Sequence, residues 1–315
     1  MTILQLTKVD VGMLEDVGTS ANNILQLDSN AKIPVTTHAI HYGTSIFEGI
    51  RAYWNGEELN IFRLDEHIRR FRNSGKFYDI TLRFSNKEIK DAVINLCKKN
   101  KIKTSCYIRP FYFVGQYGIN LHVTKKAPTH AVIFCFPFGD LFNKNGITAC
   151  ISKWKKFNDS STPTQAKMGG NYLNSILATQ DAKKRKFDEA ILLDKNNKVS
   201  EAPGENIFIV KNNTLITPPL SSSALDGITR KSILEFAKII KIKTKIREIS
   251  KDELKKADEV FLTGTAAEIT PVIKIETKKI GEGKVGNVTK QVMETYTQIV
   301  MNNNKKFSKW LTNVY

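Results

Sequence analysis

The sequence predicts an α/β chain of the α+β type, folded as two domains. Three observations carry this. The chain has 315 residues, more than a typical single domain of about 100–150 residues. Antiparallel hairpin signals are mixed with flanking amphipathic helices, not the regular strand–helix alternation of a parallel doubly wound sheet. The stretch Cys135-Phe-Pro-Phe-Gly-Asp-Leu-Phe-Asn-Lys-Asn-Gly146 breaks the periodic pattern with Pro, Gly and Asn, as a linker does. The expected division is a small N-terminal α/β domain over 1–134, an interdomain loop over 135–146 and a large C-terminal domain over 147–315.

In chain order, residues 45–54 read as a strand ending at Asn55-Gly56, the preferred two-residue hairpin turn, with 58–62 returning as its partner. Asp65 is expected to cap a helix whose apolar positions Ile68, Phe71 and Phe77 fit helical spacing loosely. Lys87–Lys99 is a clearer amphipathic helix, with Ile89, Val93, Leu96 and Cys97 on one side. Residues 106–115 form an apolar strand interrupted by Arg109, and 131–136 form another. In the second half, strands are expected at 147–152, 189–194, 206–210, 214–217 and 259–263. Helices are expected at 170–184, 227–242 and 288–301, and Ser250 with Glu253 reads as a capping box.

Composition excludes several classes. Hydrophobic residues make up 41 % and charged residues 25 %, enough apolar material for two cores. No apolar run reaches the roughly 18–20 residues of a membrane span. The first ten residues hold no apolar signal core, and Asp10, Glu15 and Asp16 are out of place in a transit peptide, so a cytoplasmic protein is expected. The net charge of +17 raises the question of nucleic acid. The lysines, however, are spread along the chain with no basic stripe interleaved with aromatics. Such a field serves better to collect small anions such as dicarboxylates and phosphates. Cys97, Cys106, Cys135 and Cys150 show no CxxC spacing, and the five histidines lack metal spacing. Neither disulfides nor a metal site are expected, and His38 and His41 read as structural.

The chemistry concentrates at junctions. Lys167 precedes a Gly-Gly pair that opens an apolar helical segment. A turn lysine is commonly a solvated cation, but one with a packed stem can lose its proton and act as an amine nucleophile, as an aldehyde cofactor requires. Residues 224–230 start a helix at which Gly227, Ile228 and Thr229 offer N–H groups to an anion, unless Asp226 simply caps it. Residues 262–270 end a strand in small residues with the hydroxyls of Thr263 and Thr265, a turn that suits a carboxylate or phosphate or is an ordinary strand–loop. Gly281-Glu-Gly-Lys-Val-Gly286 fits GxGxxG, but no parallel βαβ unit follows, so no dinucleotide site is expected. Arg109, in an otherwise apolar strand, needs an anion, either a structural acid or a substrate carboxylate. The arginines of the helix at 66–72 form a solvated face, as is most common, or one of the three points inward at a phosphate. Glu201 and Glu205 flank Ala202-Pro203-Gly204. A shielded acid there can hold a pyridine nitrogen protonated, while Glu205 reads as a turn carboxylate bonded to backbone N–H groups.

Six ordered motifs, 41–51, 107–110, 166–172, 204–206, 223–230 and 264–271, together resemble the branched-chain amino acid aminotransferases. That family belongs to the fold type IV pyridoxal-phosphate enzymes, whose fold is like that of D-amino acid aminotransferase. The resemblance spans about His38 to Val300. It implies a cofactor, pyridoxal 5′-phosphate, at the domain interface, with the Schiff-base lysine in the C-terminal domain. By resemblance Lys167 forms that link and moves the proton between the amino acid Cα and the cofactor C4′. Glu201 pairs with the pyridine nitrogen and Tyr172 with the phenolate oxygen. Arg70, the backbone of Ile228 and Thr229, and Thr265 hold the phosphate. Thr265, Ala266 and Ala267 take the substrate α-carboxylate. Phe47, Tyr42 and Gly49 line the side-chain pocket, and Tyr107 with Arg109 receives the distal carboxylate of glutamate. The implied reaction is reversible transfer of nitrogen between Leu, Ile or Val and 2-oxoglutarate by a homodimer or higher homo-oligomer, with the 115–123 loop reaching the partner. The sequence departs from bacterial members at Phe138, often Trp, and Leu141, often Tyr, and Ala202-Pro203 is unusual. Two relatives of the fold, D-amino acid aminotransferase and aminodeoxychorismate lyase, are disfavoured by His41-Tyr-Gly43 and by residues 264–271.

Overall fold

The computed structural model describes residues 10–17, 20–27 and 32–315; the reading of the extreme N-terminus falls on residues 1–9, outside the described residues. The chain divides into two compact units. The first gathers the residues up to Gly139 with Ala166–Gly170 and Ile299–Tyr315, and the second holds Asp140–Gln165 and Asn171–Gln298. This corrects the expected single crossing at 135–146. The segment bearing Lys167 and the C-terminal tail both group with the N-terminal unit, because their pairing partners lie there.

The first unit contains β1 (Asp10–Val17), β2 (Ser20–Leu27), α1 (His38–Tyr42), β3 (Ser45–Phe47), β4 (Ile50–Trp54), β5 (Leu59–Phe62), α2 (Leu64–Lys76), α3 (Asn86–Lys99), β6 (Cys106–Val114) and β7 (Thr129–Pro137). The second contains β8 (Ile147–Ile151), α4 (Tyr172–Lys184), β9 (Glu189–Ile191), β10 (Asn206–Lys211), β11 (Thr214–Thr217), α5 (Ile228–Ile239), β12 (Lys243–Ile246), α6 (Lys251–Lys255), β13 (Glu259–Gly264), β14 (Glu268–Ile275), β15 (Lys278–Lys279) and most of α7 (Asn287–Val300). The final strand, β16 (Leu311–Asn313), returns to the first unit.

The first sheet has the order β16-β5-β4-β6-β7-β1-β2, with β3 beside β6, and its pairings are antiparallel. Leu64, Ile68 and Phe71 of α2 and Ile89, Val93, Leu96 and Cys97 of α3 share one core with Ile50, Leu59, Ile61, Ile108 and Tyr112 of the sheet. Each such large side chain contributes about 1.5–3 kcal/mol by leaving water. The second sheet, β12-β11-β10-β13-β14-β8-β9 with β15 beside β14, is mixed. It is parallel at β11/β12, β14/β8 and β8/β9 and antiparallel through its central hairpins. It is therefore α+β rather than doubly wound.

Local differences have local causes. The strand expected over 45–54 is split at Glu48-Gly49 into β3 and β4. Opposite the split stands Pro110, which has no N–H to give a ladder, though its carbonyl accepts from Glu48 N–H at 2.8 Å. Asn55-Gly56 lies in a four-residue connection, since Trp54 pairs with Leu59 and Asn55 Oδ1 accepts from the N–H groups of Glu57 and Glu58. Asp65 sits in the first turn of α2, not at its cap, and Phe77, past the end of the helix, is exposed. A capping box not foreseen, Ser85 with Glu88, starts α3. At α6 only half a box forms: Ser250 accepts from Glu253 N–H, while the Glu253 carboxylate binds Arg247 at 2.5 and 2.8 Å.

The GxGxxG match has a structural use. A Cβ on Gly286 would stand 2.0 Å from the Glu259 side chain. With that space open, Glu259 accepts from Val288 and Thr289 N–H at the start of α7. The chain's own carboxylate fills this helix terminus. Among the described residues the four cysteines are buried and free, no cluster of three potential ligands could hold a metal, and no helix is long and apolar enough to cross a membrane.

Candidate active site

In the first unit the Lys167 segment is built into the sheet. Lys167 N–H donates to Ser74 Oγ at 3.0 Å, Phe47 N–H donates to Lys167 O, and Met168 bridges Ile46. Ala166 and Met168 belong to the core. The glycines permit this approach. A Cβ on Gly169 would lie 2.3 Å from Ser45 Oγ, and Gly170 N–H donates to the carbonyl of Gly43, a residue in the left-handed region at φ 65. Lys167 is thereby held with its ammonium 4.8 Å from the Phe47 ring centroid. Burial, and secondarily the Arg70 cation, push its pKa down to about 8, with Glu48 opposing. The neutral nucleophilic amine is thus accessible near neutral pH.

Glu48, fully buried, is the hub beneath this lysine. It accepts from Arg70 Nε at 2.6 Å and Nη2 at 2.8 Å, and from His67 Nδ1 at 2.7 Å. Burial alone would raise its pKa; Arg70 and His67 more than reverse that and hold the carboxyl well below the usual range. Burial lowers the His67 pKa against the pull of Glu48, so the ring is a neutral Nδ1–H donor.

Beside Phe47 stands the second cation. The Arg109 guanidinium is 4.6 Å from the Phe47 ring centroid, and its Nη2 donates to Tyr107 OH at 3.0 Å. The Nε of Arg109 is buried and has no acceptor among the described residues, as befits a guanidinium prepared for an anion. Gly49 makes room for Tyr107, whose hydroxyl lies 1.9 Å from where a Cβ would be. Phe138 continues the aromatic wall, 5.3 Å from Tyr107, and Arg51 Nη2 holds the carbonyls of Phe138 and Gly139.

In the second unit the corresponding centre is acidic. Glu201 is 4 % exposed. Its Oε1 meets Lys156 Nζ at 2.7 Å, and its Oε2 accepts from Asn206 Nδ2 at 2.9 Å and Leu225 N–H at 3.0 Å. Asn206 also donates to Leu225 O, and it fits because Gly227 carries no Cβ, which would fall 1.8 Å from Asn206 Oδ1. Burial would lower the Lys156 pKa, but Glu201 outweighs it and raises it, with a smaller contribution from Tyr172. Glu205 accepts from Gly204 N–H, as expected of a turn carboxylate.

Two backbone sites accompany Glu201 in this unit. α5 starts after Gly227 without a side-chain cap, since Asp226 pairs with Lys231 at 2.5 Å instead. Its first residues, Ile228 and Thr229, are buried. The turn Thr265-Ala266-Ala267 joins β13 to β14, braced by Thr263 Oγ1 on Glu268 O and by Thr270 Oγ1 on Ala267 O, both at 2.8 Å. The Thr263 hydroxyl is thus used internally, while Thr265 sits half-buried at the turn.

Of the residues singled out in the sequence, the first unit brings together Lys167, Arg70, Phe47, Gly49, Tyr107 and Arg109, and the second places Tyr172 in the electrostatic surroundings of Lys156. Tyr42 is exposed and donates to Ile119 O. Arg70 Nε and Nη2 donate to Glu48. Sequence reasoning passed over Glu48, His67, Lys156 and Asn206. Glu48 carried a signal, an acid inside an apolar strand as conspicuous as Arg109; Lys156, in the run Lys153-Trp-Lys-Lys156, carried none.

Comparison with known proteins agrees with this chemistry. The amino-transferase class IV family matches residues 45–275. A branched-chain-amino-acid aminotransferase of Salmonella typhimurium is 42 % identical over 85 % of this chain and 87 % of its own. The crystal structure of a branched-chain aminotransferase from Thermoproteus uzoniensis with norvaline superposes with a TM-score of 0.92 at 37 % identity, over 98 % of this chain and 100 % of that one. The branched-chain amino acid aminotransferase from Escherichia coli gives 0.92 at 37 %, over 98 % and 100 %.

Proposed function

Since the chain belongs to the class IV amino-transferase family, we propose that it transfers the amino group reversibly between L-leucine, L-isoleucine or L-valine and 2-oxoglutarate. The products are the branched 2-oxo acids and L-glutamate. The observation that carries this reading is the grouping of a lysine amine of pKa about 8 with the Tyr107–Arg109 pair around the Phe47 ring. One pocket must take an alkyl chain in one half-reaction and a distal carboxylate in the other. Aromatic walls beside a guanidinium with an unused donor suit both.

The cofactor is pyridoxal phosphate, the group of this family. It supplies an aldehyde that condenses with amines and a ring that accepts the electron pair left when the Cα–H bond breaks. The residues fit it: a nucleophilic amine at Lys167, a buried acid at Glu201, and a helix start at α5 without a side-chain cap. In the proposed assignment the Lys167 amine would bind the cofactor and would move the proton at the substrate Cα. Glu201 would face the ring nitrogen, and Tyr172 would hydrogen-bond the phenolate oxygen. Arg70, the N–H groups of Ile228 and Thr229, and the Thr265 hydroxyl hold the phosphate. Thr265, Ala266 and Ala267 receive the α-carboxylate. Phe47, Gly49 and Tyr42 shape the side-chain pocket, and Arg109 with Tyr107 takes the γ-carboxylate of glutamate.

We extend the proposal to a homodimer or higher homo-oligomer. Val35, Ile40, Ile119 and Leu121, all exposed, support it as apolar surface in need of cover. Light scattering of the purified protein measures it. The function is tested with purified protein, pyridoxal phosphate and 2-oxoglutarate. L-Leucine should turn over and D-alanine should not, and turnover of D-alanine alone would refute the proposal. Borohydride reduction followed by peptide mapping should place the cofactor on Lys167.

A further inference from the structure

We propose that Lys156 is a positioning residue for the ring-nitrogen acid, pairing with Glu201 and holding it in one rotamer so that a single acceptor direction on Oε1 remains for a pyridinium N–H. This rests on the cofactor assignment above. A carboxylate has about four lone-pair sites. Asn206 and Leu225 occupy Oε2, and Lys156 occupies one site on Oε1. One acceptor direction of a group only 4 % exposed is left.

The ammonium is delivered from a fixed backbone. Lys156 N–H donates to Leu193 O at 2.8 Å, and the adjacent Leu192 N–H donates to Glu201 O at 2.8 Å. The Lys156 side chain is 15 % exposed, so the pair is largely shielded from water. Accepting from a pyridinium does not itself require a cation, and an ammonium competes for the same oxygen. A cation is needed while the cofactor is absent. A buried carboxylate without one relaxes by neutralising or by turning towards water, and either loses the charge and direction that the ring nitrogen uses. Asn206, seated in the space beside Gly227, fixes the other oxygen in the same way.

The test uses the full-length protein stripped of cofactor and two probes: pyridoxal phosphate, and its analogue with carbon in place of the ring nitrogen. Fluorescence titration of Lys156→Met should show pyridoxal phosphate bound about tenfold more weakly, the loss of a charge-assisted contact of about 1.4 kcal/mol, with the affinity for the analogue unchanged. Lys156→Arg should recover the wild-type affinity. Lys156→Gln, polar but uncharged, should behave as Lys156→Met and serves in its place should that variant not fold. In the enzyme saturated with pyridoxal phosphate, where the pyridinium itself meets Glu201, kcat and the leucine KM should stay close to wild type. Equal loss for both probes, or no loss for pyridoxal phosphate, overturns the proposal. Failure of the cofactor assignment looks different: the wild-type chain then binds neither probe.

Discussion

The two units each hold a shielded lysine, and the pKa values of the two lysines are shifted in opposite directions. Lys167, in the first unit, has Arg70 and Arg109 among its neighbours and a carboxylate already committed to other donors, so burial wins and its pKa falls to about 8. Lys156, in the second unit, touches Glu201 directly at 2.7 Å, so attraction wins over burial and its pKa rises. Loss of water alone does not decide a lysine's role. What decides it is the balance between burial and the nearby charges. At Lys167 burial and the Arg70 cation outweigh the opposing pull of Glu48; at Lys156 the direct contact with Glu201 outweighs burial.

The sharpest break in this comparison is Lys167→Ala. It should cut transamination by on the order of 10²–10⁴-fold, the range of a lost general base, with the circular dichroism of the fold retained. Activity near wild type would sink the assignment. Next is Glu48→Gln, which strips the partner of Arg70 and His67. Breaking a buried pair from one side costs about 3–5 kcal/mol, so urea unfolding should shift by that amount. In the apoprotein Lys167 should titrate below 8, because the carboxylate that opposes the shift is gone.

Arg109→Met should raise the KM for 2-oxoglutarate by roughly 10–100-fold, the loss of a charge-assisted hydrogen bond of about 1.5–3 kcal/mol. The half-reaction with leucine, followed by cofactor absorbance, should change little. Gly49→Ala, whose Cβ would collide with the Tyr107 hydroxyl, should cost about 1–3 kcal/mol through overpacking and weaken 2-oxoglutarate binding less than Arg109→Met does.

The smallest effect is the pH dependence of stability in the apoprotein, and here the two lysines should differ in sign. Between about 8 and the ordinary lysine value of 10.5, the unfolded chain holds a proton that folded Lys167 has released. The unfavourable contribution of Lys167 is therefore complete below pH 8 and relieved as pH rises through this window. Lys156, with its folded pKa raised, contributes stability that is complete below 10.5 and lost at higher pH. Lys167→Met should thus stabilise the apoprotein more at pH 7 than at pH 10. Denaturant unfolding at the two values reads this directly, and a gain that does not shrink would contradict the charge state assigned to Lys167.

Much of this was legible in the sequence. The amphipathic pattern of α3, the β10/β11 hairpin and the capping serine of α6 follow from local periodicity and turn chemistry, and the structure has them within a residue or two. Lys167, Glu201 and Arg109 stood out because a charge or a Gly-Gly pair broke a local rule. The sequence by itself therefore determined the clearest helices and hairpins, the α+β class and which residue types carry the chemistry, since these depend on neighbours a few positions away.

Only the tertiary structure decided who pairs with whom. Residues 166–170 and 299–315 belong to the first unit because β-bridges and backbone hydrogen bonds hold them there, against a local pattern that ran on into the second. Glu48 reaches Arg70 across 22 positions, and Glu201 reaches Lys156 across 45. The charge state of a shielded group is a balance between lost hydration and a partner brought close by the fold. That balance has no local period, so only the folded chain lowers the pKa of Lys167 and raises that of Lys156.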